Sequence, residues 1–301
     1  MIKKIQVNNQ HTWSQHFMGW QPAIDEIKKL HHNQGVLFIG YLDKIAAFEK
    51  IKEPFIGFFH HTPENPDIYY KKPLVGKFKG LEYYFQTNIW NENKRFCKGI
   101  FTLSSHLAEF IKKKTGIKSQ SLLHPFPQPE TFFDFDDFLE NPNKMLFHPG
   151  NWLRNFDIFN KIKSPFKKYI TNKIFFKNPN RTVHSLGFID KEKYNSILDQ
   201  NIVFQCYYDM GASNTLGECI VKNTPIIINR LPATEEYLGK DYPLFFDTID
   251  EAETILHNTE KIEEGYIYLK TLDKNKFLPQ TFLENFYNSQ IYQELKIPTL
   301  I

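Results

Sequence analysis

Residues 211–229 read GASNTLGECIVKNTPIIIN, and this run combines a helix start, a helix and an apolar strand. The small polar residues Ser213, Asn214 and Thr215 predict the helix start, because such side chains cap helices. Glu218 follows on the predicted helix. After a break at Pro225, the isoleucines at 226–228 predict a strand that is buried on both faces. A helix leading into such a strand is typical of a parallel α/β sheet.

The polar half of this run predicts an anion site. Backbone amides at a helix start attract phosphate, and an acidic residue one turn later can bind ribose hydroxyls. The hydroxyls of Ser213 and Thr215 and the amide of Asn214 add hydrogen-bond donors. In outline this is a pocket for a nucleotide sugar. The alternative is a plain helix cap with nothing bound and a solvated Glu218.

The bulk properties restrict the class of protein. A chain of 301 residues suits two domains, and a net charge of +3 is too weak to indicate nucleic acid as a partner. Three scattered cysteines without CxxC spacing fit a reducing compartment. No signal peptide or run of about 18 apolar residues is apparent, so we expect a cytoplasmic protein. The short lysine runs at 71–72 and 112–114 leave open a weak contact with a membrane surface.

Strand and helix patterns alternate in two consecutive blocks. The predicted strands are short apolar runs at 35–40, 54–59, 99–103 and 121–124, and then at 144–148, 202–207, 226–228 and 243–246. This order predicts an α/β protein with two Rossmann-like, doubly wound parallel-sheet domains that face each other across a cleft. Ligands of such sheets bind outside the carboxyl ends of the strands, so we expect the site in that cleft.

The domain boundaries follow from composition. We expect an N-terminal domain over 1–130, a linker over 131–143 and a second domain over 144–280. The linker prediction rests on a segment rich in proline, aspartate and phenylalanine without a clean period. Residues 281–301 form a predicted terminal helix that packs back on the first domain.

The second block resembles the donor-binding domain of the GT-B-fold glycosyltransferases, the retaining, group 1-like enzymes that use nucleotide sugars. That family shows a strand, a small polar loop, a helix with a glutamate, and then Gly-x-Pro and an apolar strand. Here the same order runs through the strand at 203–207, the loop, Glu218, and Asn223-Thr224-Pro225. The resemblance implies that Glu218 holds the donor ribose, and that Ser213, Asn214 and Thr215 face the diphosphate or the sugar.

Two further loops carry the resemblance. The sequence HPGNWLR at 148–154 follows the first strand of the second block, where the family has a glycine loop and then a basic residue that reaches the diphosphate. Gly150, Asn151 and Arg154 are therefore implied to bind the donor, and the Arg154 fork suits two phosphate oxygens. Gly187 lies in the loop where family members contact the base through the backbone.

His60 and His61 end the predicted strand at 54–59 and point towards the expected cleft. Either imidazole could orient a sugar or act as a general acid or base near neutral pH, so both are candidate catalytic residues. Glu64 and Asp67 are alternates for that role. The other interpretations are an ordinary loop histidine or a metal site, although no HxxxH or cysteine pair accompanies them.

One position departs from the family. Its members often carry a second glutamate eight residues before the first, and here that position is Met210, next to Asp209. A noncatalytic two-lobed sugar- or nucleotide-binding protein therefore stays open, as does a sugar-nucleotide epimerase of the same architecture.

The function expected from the sequence is a glycosyltransferase. We expect it to move a sugar from a nucleotide diphosphate sugar to a hydroxyl of a glycan, lipid-linked or protein-linked acceptor, and the family resemblance implies retention at the anomeric carbon. We expect no cofactor and no metal, because no DxD-type pair is apparent outside the predicted linker, where Asp134, Asp136 and Asp137 are expected to be solvated.

Overall fold

The computed structural model describes residues 1–7, 19–64, 80–171 and 182–296. The chain divides into two compact units. The first contains the described parts of residues 1–127 and 275–301, and the second contains those of residues 128–274. The predicted pair of parallel α/β sheets is confirmed, because each unit is built on one all-parallel sheet.

The sheet of the first unit has its strands side by side in chain order. They are β1 (Ile5–Val7), β2 (Val36–Ile39), β3 (Phe55–Phe58), β4 (Cys97–Thr102) and β5 (Ser119–Ser121). The helices between them are α1 (Gln21–Lys28), α2 (Leu42–Ile45), α3 (Leu81–Gln86), α4 (Asn88–Asn93) and α5 (Ser105–Thr115). Lys112, Lys113 and Lys114 form the last turn of α5, where cations stabilise the helix dipole. The lysines at 71–72 lie outside the described residues.

The sheet of the second unit has the doubly wound order β11-β10-β9-β6-β7-β8. In chain order its strands are β6 (Met145–His148), β7 (Lys167–Ile170), β8 (Val183–Ser185), β9 (Ile202–Gln205), β10 (Ile226–Asn229) and β11 (Phe245–Phe246). The helices are α6 (Phe135–Glu140), α7 (Phe156–Lys161), α8 (Lys191–Gln200), α9 (Asn214–Lys222), α10 (Pro232–Leu238), α11 (Ile249–Leu256) and α12 (Thr259–Thr271). Strands β9 and β10 are buried almost throughout, which explains their apolar sequences.

The chain returns to the first unit after residue 274. A 3-10 turn (Asn275–Phe277) precedes α13 (Pro279–Asn288) and α14 (Gln290–Gln293). Phe286 of α13 packs on the rings of Phe58 and Phe101, with centroid distances of 6.4 and 4.9 Å. The residues after 296 lie outside the described part of the chain.

The segment 131–143, which the sequence predicts as an irregular linker, contains helix α6 and belongs to the second unit. The Asp134 carboxylate accepts hydrogen bonds from the amides of Asp136 and Asp137, so Asp134 caps a helix instead of lying in an irregular loop. All three aspartates are exposed to solvent, as expected. Phe135 and Phe138, one turn apart, are both buried. The Asp134 cap and the buried apolar face stabilise helix α6. The prolines do not interrupt it, because they lie before the helix and after it.

None of the helices in the described ranges is both long and apolar enough to cross a membrane.

Candidate functional site

The second sheet reverses its direction of growth between β6 and β9. Strands β7 and β8 extend it on one side of β6, and β10 and β11 extend it on the other side of β9. The loops after β6 and β9 therefore leave the sheet in opposite directions, which opens a crevice at their carboxyl ends. The sequence places the HPGNWLR loop after β6 and the small polar loop after β9, so the fold brings these two motifs together.

Gly150 allows the first loop to take up its shape. Its φ of +79° lies in the left-handed region that favours glycine. A Cβ atom at this position would lie 2.6 Å from both Cζ and Nη2 of Arg154. The guanidinium therefore packs directly on the backbone of Gly150. The carbonyl of Asn151 accepts the amide of Arg154, which places that predicted residue in the turn.

The Arg154 side chain is held by three hydrogen bonds. Nε donates to Oε1 of Gln205 at 2.7 Å, Nη1 donates to the carbonyl of Trp152 at 2.9 Å, and Nη2 donates to Oγ1 of Thr215 at 3.2 Å. Its Cζ also lies 5.1 Å from the centre of the Tyr207 ring, a cation–π distance. These contacts use three of the five N–H donors of the guanidinium. The charge is thus fixed at the switch point of the sheet.

Helix α9 begins in the loop after β9. The Ser213 hydroxyl accepts the amide of Leu216 at 3.3 Å, so Ser213 caps the helix as predicted, and it also lies 2.6 Å from the Tyr207 hydroxyl. Asn214 is the first helical residue and is half-buried, whereas Thr215 is buried under Arg154. The amino end of α9 and the Arg154 guanidinium therefore meet at one place.

Glu218 lies one turn into α9 and is only 4% exposed. The Tyr194 hydroxyl of α8 donates to its Oε2 at 2.5 Å. Burial raises the pKa of Glu218 to about 7, although the Tyr194 hydrogen bond and the charges of Arg154 and Lys222 act in the opposite direction. The burial of this carboxyl overturns the alternative of a solvated glutamate, and the raised pKa brings its titration towards the neutral range.

Arg154 and Glu218 are both anchored at the first turns of α9. Arg154 donates to the Thr215 hydroxyl, and Tyr194 donates to Glu218, three residues after Thr215 on the same helix. The positive charge of Arg154 also acts on the Glu218 carboxyl. Arg154, Thr215, Tyr194 and Glu218 therefore form one network.

Several neighbours of this network were not singled out from the sequence. Tyr194 has a detectable signal, since it shares a helical face with the apolar Ile197 and Leu198. Gln205 has another, as a polar residue in an apolar strand; its amide donates to the Pro149 carbonyl at 3.0 Å. The sequence carries no such signal for His148. This residue is fully buried, its Nδ1 lies 2.7 Å from the Phe204 carbonyl, and burial lowers its pKa to about 3.

Gly187 and Met210 are not among the partners in the hydrogen bonds that hold the Arg154 side chain. Gly187 follows β8 at the edge of the sheet, with a left-handed φ of +69°, and its amide donates to the Ser185 hydroxyl at 3.3 Å. Met210 is 2% exposed, and Asp209 accepts the Met210 amide at 2.7 Å. The position of the family's second acid is therefore filled by a buried apolar side chain.

The candidate histidines belong to the first unit. The Asp43 carboxylate, buried at the start of α2, accepts the backbone amides of both His60 and His61, at 2.8 and 2.9 Å. The His60 ring stacks on Tyr41 at 4.3 Å, and its Nε2 lies 2.8 Å from the carbonyl of Gly40. Because a carbonyl only accepts, Nε2 carries the proton.

The side chains of His60 and His61 have different surroundings. Burial lowers the pKa of His60, although Asp43 acts in the opposite direction, so this imidazole is neutral at pH 7. Nδ1 of His61 lies 3.0 Å from the Tyr84 hydroxyl and 3.9 Å from Oδ1 of Asp43. Of the two alternates, the Glu64 carbonyl accepts the Thr62 hydroxyl, and Asp67 lies outside the described residues. Within the described ranges, no three His, Cys, Asp or Glu side chains gather as a metal site would require.

A scan against models of known protein families finds no match, and no curated protein sequence matches the chain. Solved structures do match. S. aureus TarM superposes with a TM-score of 0.61 at 14% identity, over 86% of this chain and 55% of TarM. The fold is that of the GT-B glycosyltransferases.

Two further GT-B structures agree. The pneumococcal O-GlcNAc transferase GtfA, solved with UDP and GlcNAc, has a TM-score of 0.56 at 11% identity, over 90% of this chain and 59% of GtfA. Anabaena HepE, solved with UDP and glucose, has a TM-score of 0.59 at 11% identity, over 77% of this chain and 70% of HepE. The chain thus spans between half and two thirds of the length of TarM and GtfA. At these identities the likeness establishes the fold alone.

Proposed function

We propose that this GT-B chain is a glycosyltransferase that uses a nucleotide diphosphate sugar as donor and a hydroxyl of a glycan or similar molecule as acceptor. The observation that carries the proposal is the network from Arg154 to Glu218 at the switch point of the second sheet. It combines a fixed cation, a helix amino end and a buried carboxyl within one crevice. UDP or UDP-glucose is bound in the structures of HepE, and UDP in one of TarM, which supports the same class of donor here.

The diphosphate is assigned to Arg154 and the start of α9. Two N–H groups of the guanidinium stay available beyond its three hydrogen bonds, and a fork of this kind suits two phosphate oxygens. The amides of the first turn and the helix dipole add partial positive charge at the same place. Ser213, Asn214 and Thr215 add polar groups around it.

The ribose is assigned to Glu218. This residue lies four positions after Asn214, about 6 Å along the helix axis. In a nucleotide the ribose hydroxyls are likewise separated from the diphosphate, so one nucleotide can contact both Glu218 and the start of α9. Gly150 and Asn151 shape the loop that holds Arg154, and the backbone at Gly187 is assigned to the base.

Catalysis is proposed to come from positioning and from stabilising the leaving diphosphate. Arg154 and the α9 amides are held before the donor arrives, so they stabilise the charge that develops on the diphosphate without reorganising. This arrangement supports transfer without a metal ion. We further propose retention at the anomeric carbon, which NMR of the freshly formed product would test directly.

The acceptor is assigned to the first unit. With its proton on Nε2, neutral His60 has Nδ1 as a base, and His61 is held next to it by the same Asp43 carboxylate. His60→Ala or His61→Ala should reduce turnover by about 100-fold while the donor affinity stays within about twofold. If either variant lost donor binding instead, that histidine would belong to the donor site.

The donor assignment is tested by calorimetric titration with UDP-, GDP-, ADP- and CMP-linked sugars. Arg154→Ala should weaken the donor that binds by about 10- to 100-fold, since a hydrogen-bonded charge contact contributes about 1.5–3 kcal/mol. Glu218→Ala should weaken it as well. Arg95→Ala is the matched control, because it removes the same charge from an exposed position after α4.

The two parts of the proposal can fail separately. If no nucleotide sugar binds to the unaltered chain, the proposed function is wrong. If a donor binds and Arg154→Ala behaves like Arg95→Ala, the function can stand but the site is misplaced.

A further inference from the structure

The Tyr194–Glu218 pair has a property that donor binding alone does not require. A buried carboxyl could bind ribose hydroxyls without a partner, yet here a tyrosine from the neighbouring helix α8 fixes one of its two oxygens. Tyr194 is itself buried. The carboxyl is therefore held in one orientation, with Oε1 left for a ligand.

We propose that Tyr194 is a positioning residue that holds Glu218 for the donor ribose, and that donor binding is coupled to release of the Glu218 proton. This inference rests on the proposed function, because it assumes that the ribose binds at Glu218. It adds regulation to that site: a fall in pH across the neutral range weakens the donor complex.

The coupling follows from the surroundings of the carboxyl. Burial raises the pKa of Glu218 to about 7, so a large fraction of the free protein is protonated at neutral pH. Ribose hydroxyls donate more strongly to a carboxylate than to a neutral carboxyl, so the donor binds the ionised form more tightly. By linkage, the bound donor lowers the pKa of Glu218, and a proton leaves.

Five other charged or titratable side chains of the described residues surround Glu218. Arg154, from the loop after β6, and Lys222, on α9, are the cations whose charges act on the carboxyl. Tyr194, Tyr207 and Cys219 are the neutral titratable groups, and burial raises the pKa of each of them. All three stay protonated at neutral pH, so Glu218 is the group in this cluster that titrates there.

If the ionised form binds the donor about tenfold more tightly, the affinity rises roughly fivefold between pH 6 and pH 8. Under the same conditions about half a proton is released per bound donor at pH 6.5.

The probe is the intact nucleotide sugar that binds best in the titration panel. A free nucleoside diphosphate is unsuitable, because its terminal phosphate titrates near pH 6, whereas the diphosphate of a nucleotide sugar has no such group. Calorimetry on the full 301-residue chain, at pH 6, 7 and 8 and in buffers of different ionisation enthalpy, gives both the affinity and the number of protons released.

The variants separate positioning from packing. Tyr194→Phe removes one hydrogen bond to the carboxylate, so the midpoint of the affinity curve should move upward by about one pH unit. Tyr266→Phe is the matched control, since this α12 tyrosine packs its ring on Phe135, and it should leave the curve unchanged. Glu218→Gln should abolish the pH dependence and the proton release.

Each outcome decides the inference. Proton release near pH 6.5 that disappears in Glu218→Gln supports it, and so does a shifted midpoint in Tyr194→Phe alone. A donor affinity that is flat from pH 6 to pH 8 in the unaltered chain, without proton release, overturns the inference and leaves the proposed function intact. Absence of binding by every donor overturns both. The measurement on the unaltered chain needs no variant to fold.

Discussion

Gly150→Ala offers a steric test of the Arg154 site, because the change adds one methyl group in a known place. The new Cβ would lie 2.6 Å from Cζ and Nη2 of Arg154 and 3.0 Å from its Nε. Carbon atoms in contact prefer about 3.5–4.0 Å, so the guanidinium must move by about 1 Å. The bond from Nε to Gln205, now 2.7 Å, would then exceed the usual limit of about 3.2 Å.

Two contributions to the loss of stability can be separated. The left-handed φ at Gly150 costs a non-glycine residue about 1–2 kcal/mol. Displacing Arg154 adds about 1.5–3 kcal/mol for its hydrogen bonds to Gln205 and Thr215. Gly116→Ala is the matched control, because Gly116 has a similar φ of +72° and a Cβ there meets nothing within 4 Å. Gly116→Ala therefore measures the cost of the left-handed backbone without any displacement of Arg154.

The assay combines thermal unfolding with donor titration for the unaltered chain and the two variants. Gly116→Ala should lower stability by about 1 kcal/mol and leave the donor affinity unchanged. Gly150→Ala should lower stability by about 3 kcal/mol and weaken the donor more than tenfold. If Gly150→Ala binds the donor as tightly as Gly116→Ala, then Arg154 does not hold the diphosphate and the reasoning is refuted.

Three further predictions concern buried polar groups. Lys222→Met should destabilise the second unit by about 3 kcal/mol in chemical unfolding, because it leaves the Asp199 carboxylate, 2.6 Å from the ammonium, without its buried partner; an unchanged midpoint would contradict this. Asn93→Ala should cost about 2–3 kcal/mol, since its amide donates to two carbonyls of the 46–49 turn and accepts the amide of Ile51, whereas Asn91→Ala on the exposed face should cost little. Glu218→Gln should stabilise the chain by up to about 3 kcal/mol at pH 8 and by little at pH 5. The folded-state pKa of Glu218, about 7, lies above the unfolded value of 4.5, so the free energy of unfolding of the unaltered chain falls as pH rises from 4.5 through 7. Equal effects of the substitution at both pH values would refute this prediction.

The sequence was sufficient for the parts of the fold that depend on local pattern. The apolar runs at 202–207 and 226–228 appear as β9 and β10, and the helix start predicted at residues 213–215 is found, with Ser213 as its cap. Parallel strands covered on both faces must be apolar along their whole length, and a helix start needs an acceptor side chain. Both requirements act within a few residues, so both are visible in the sequence.

Features that depend on distant contacts were not predictable. Helix α6 was expected to be a linker, because its burial depends on partners such as Tyr266, which stacks on Phe135 at 5.9 Å. The environment of Glu218 depends on Tyr194, which lies 24 residues earlier in the chain. The carboxylate shared by His60 and His61 comes from Asp43, 17 and 18 residues before them. No periodicity within a short window carries such information.

Release of nucleoside diphosphate tests the central claim most directly. The donor that binds best would be incubated with the chain and a panel of glycan, lipid-linked and protein-linked acceptors, with and without a metal chelator. The account predicts acceptor-dependent release that persists in the chelator and falls at least tenfold in Arg154→Ala. A donor that binds at the Arg154–Glu218 network but is never consumed with any acceptor, with or without added metal, would contradict it and identify the chain as a binding protein.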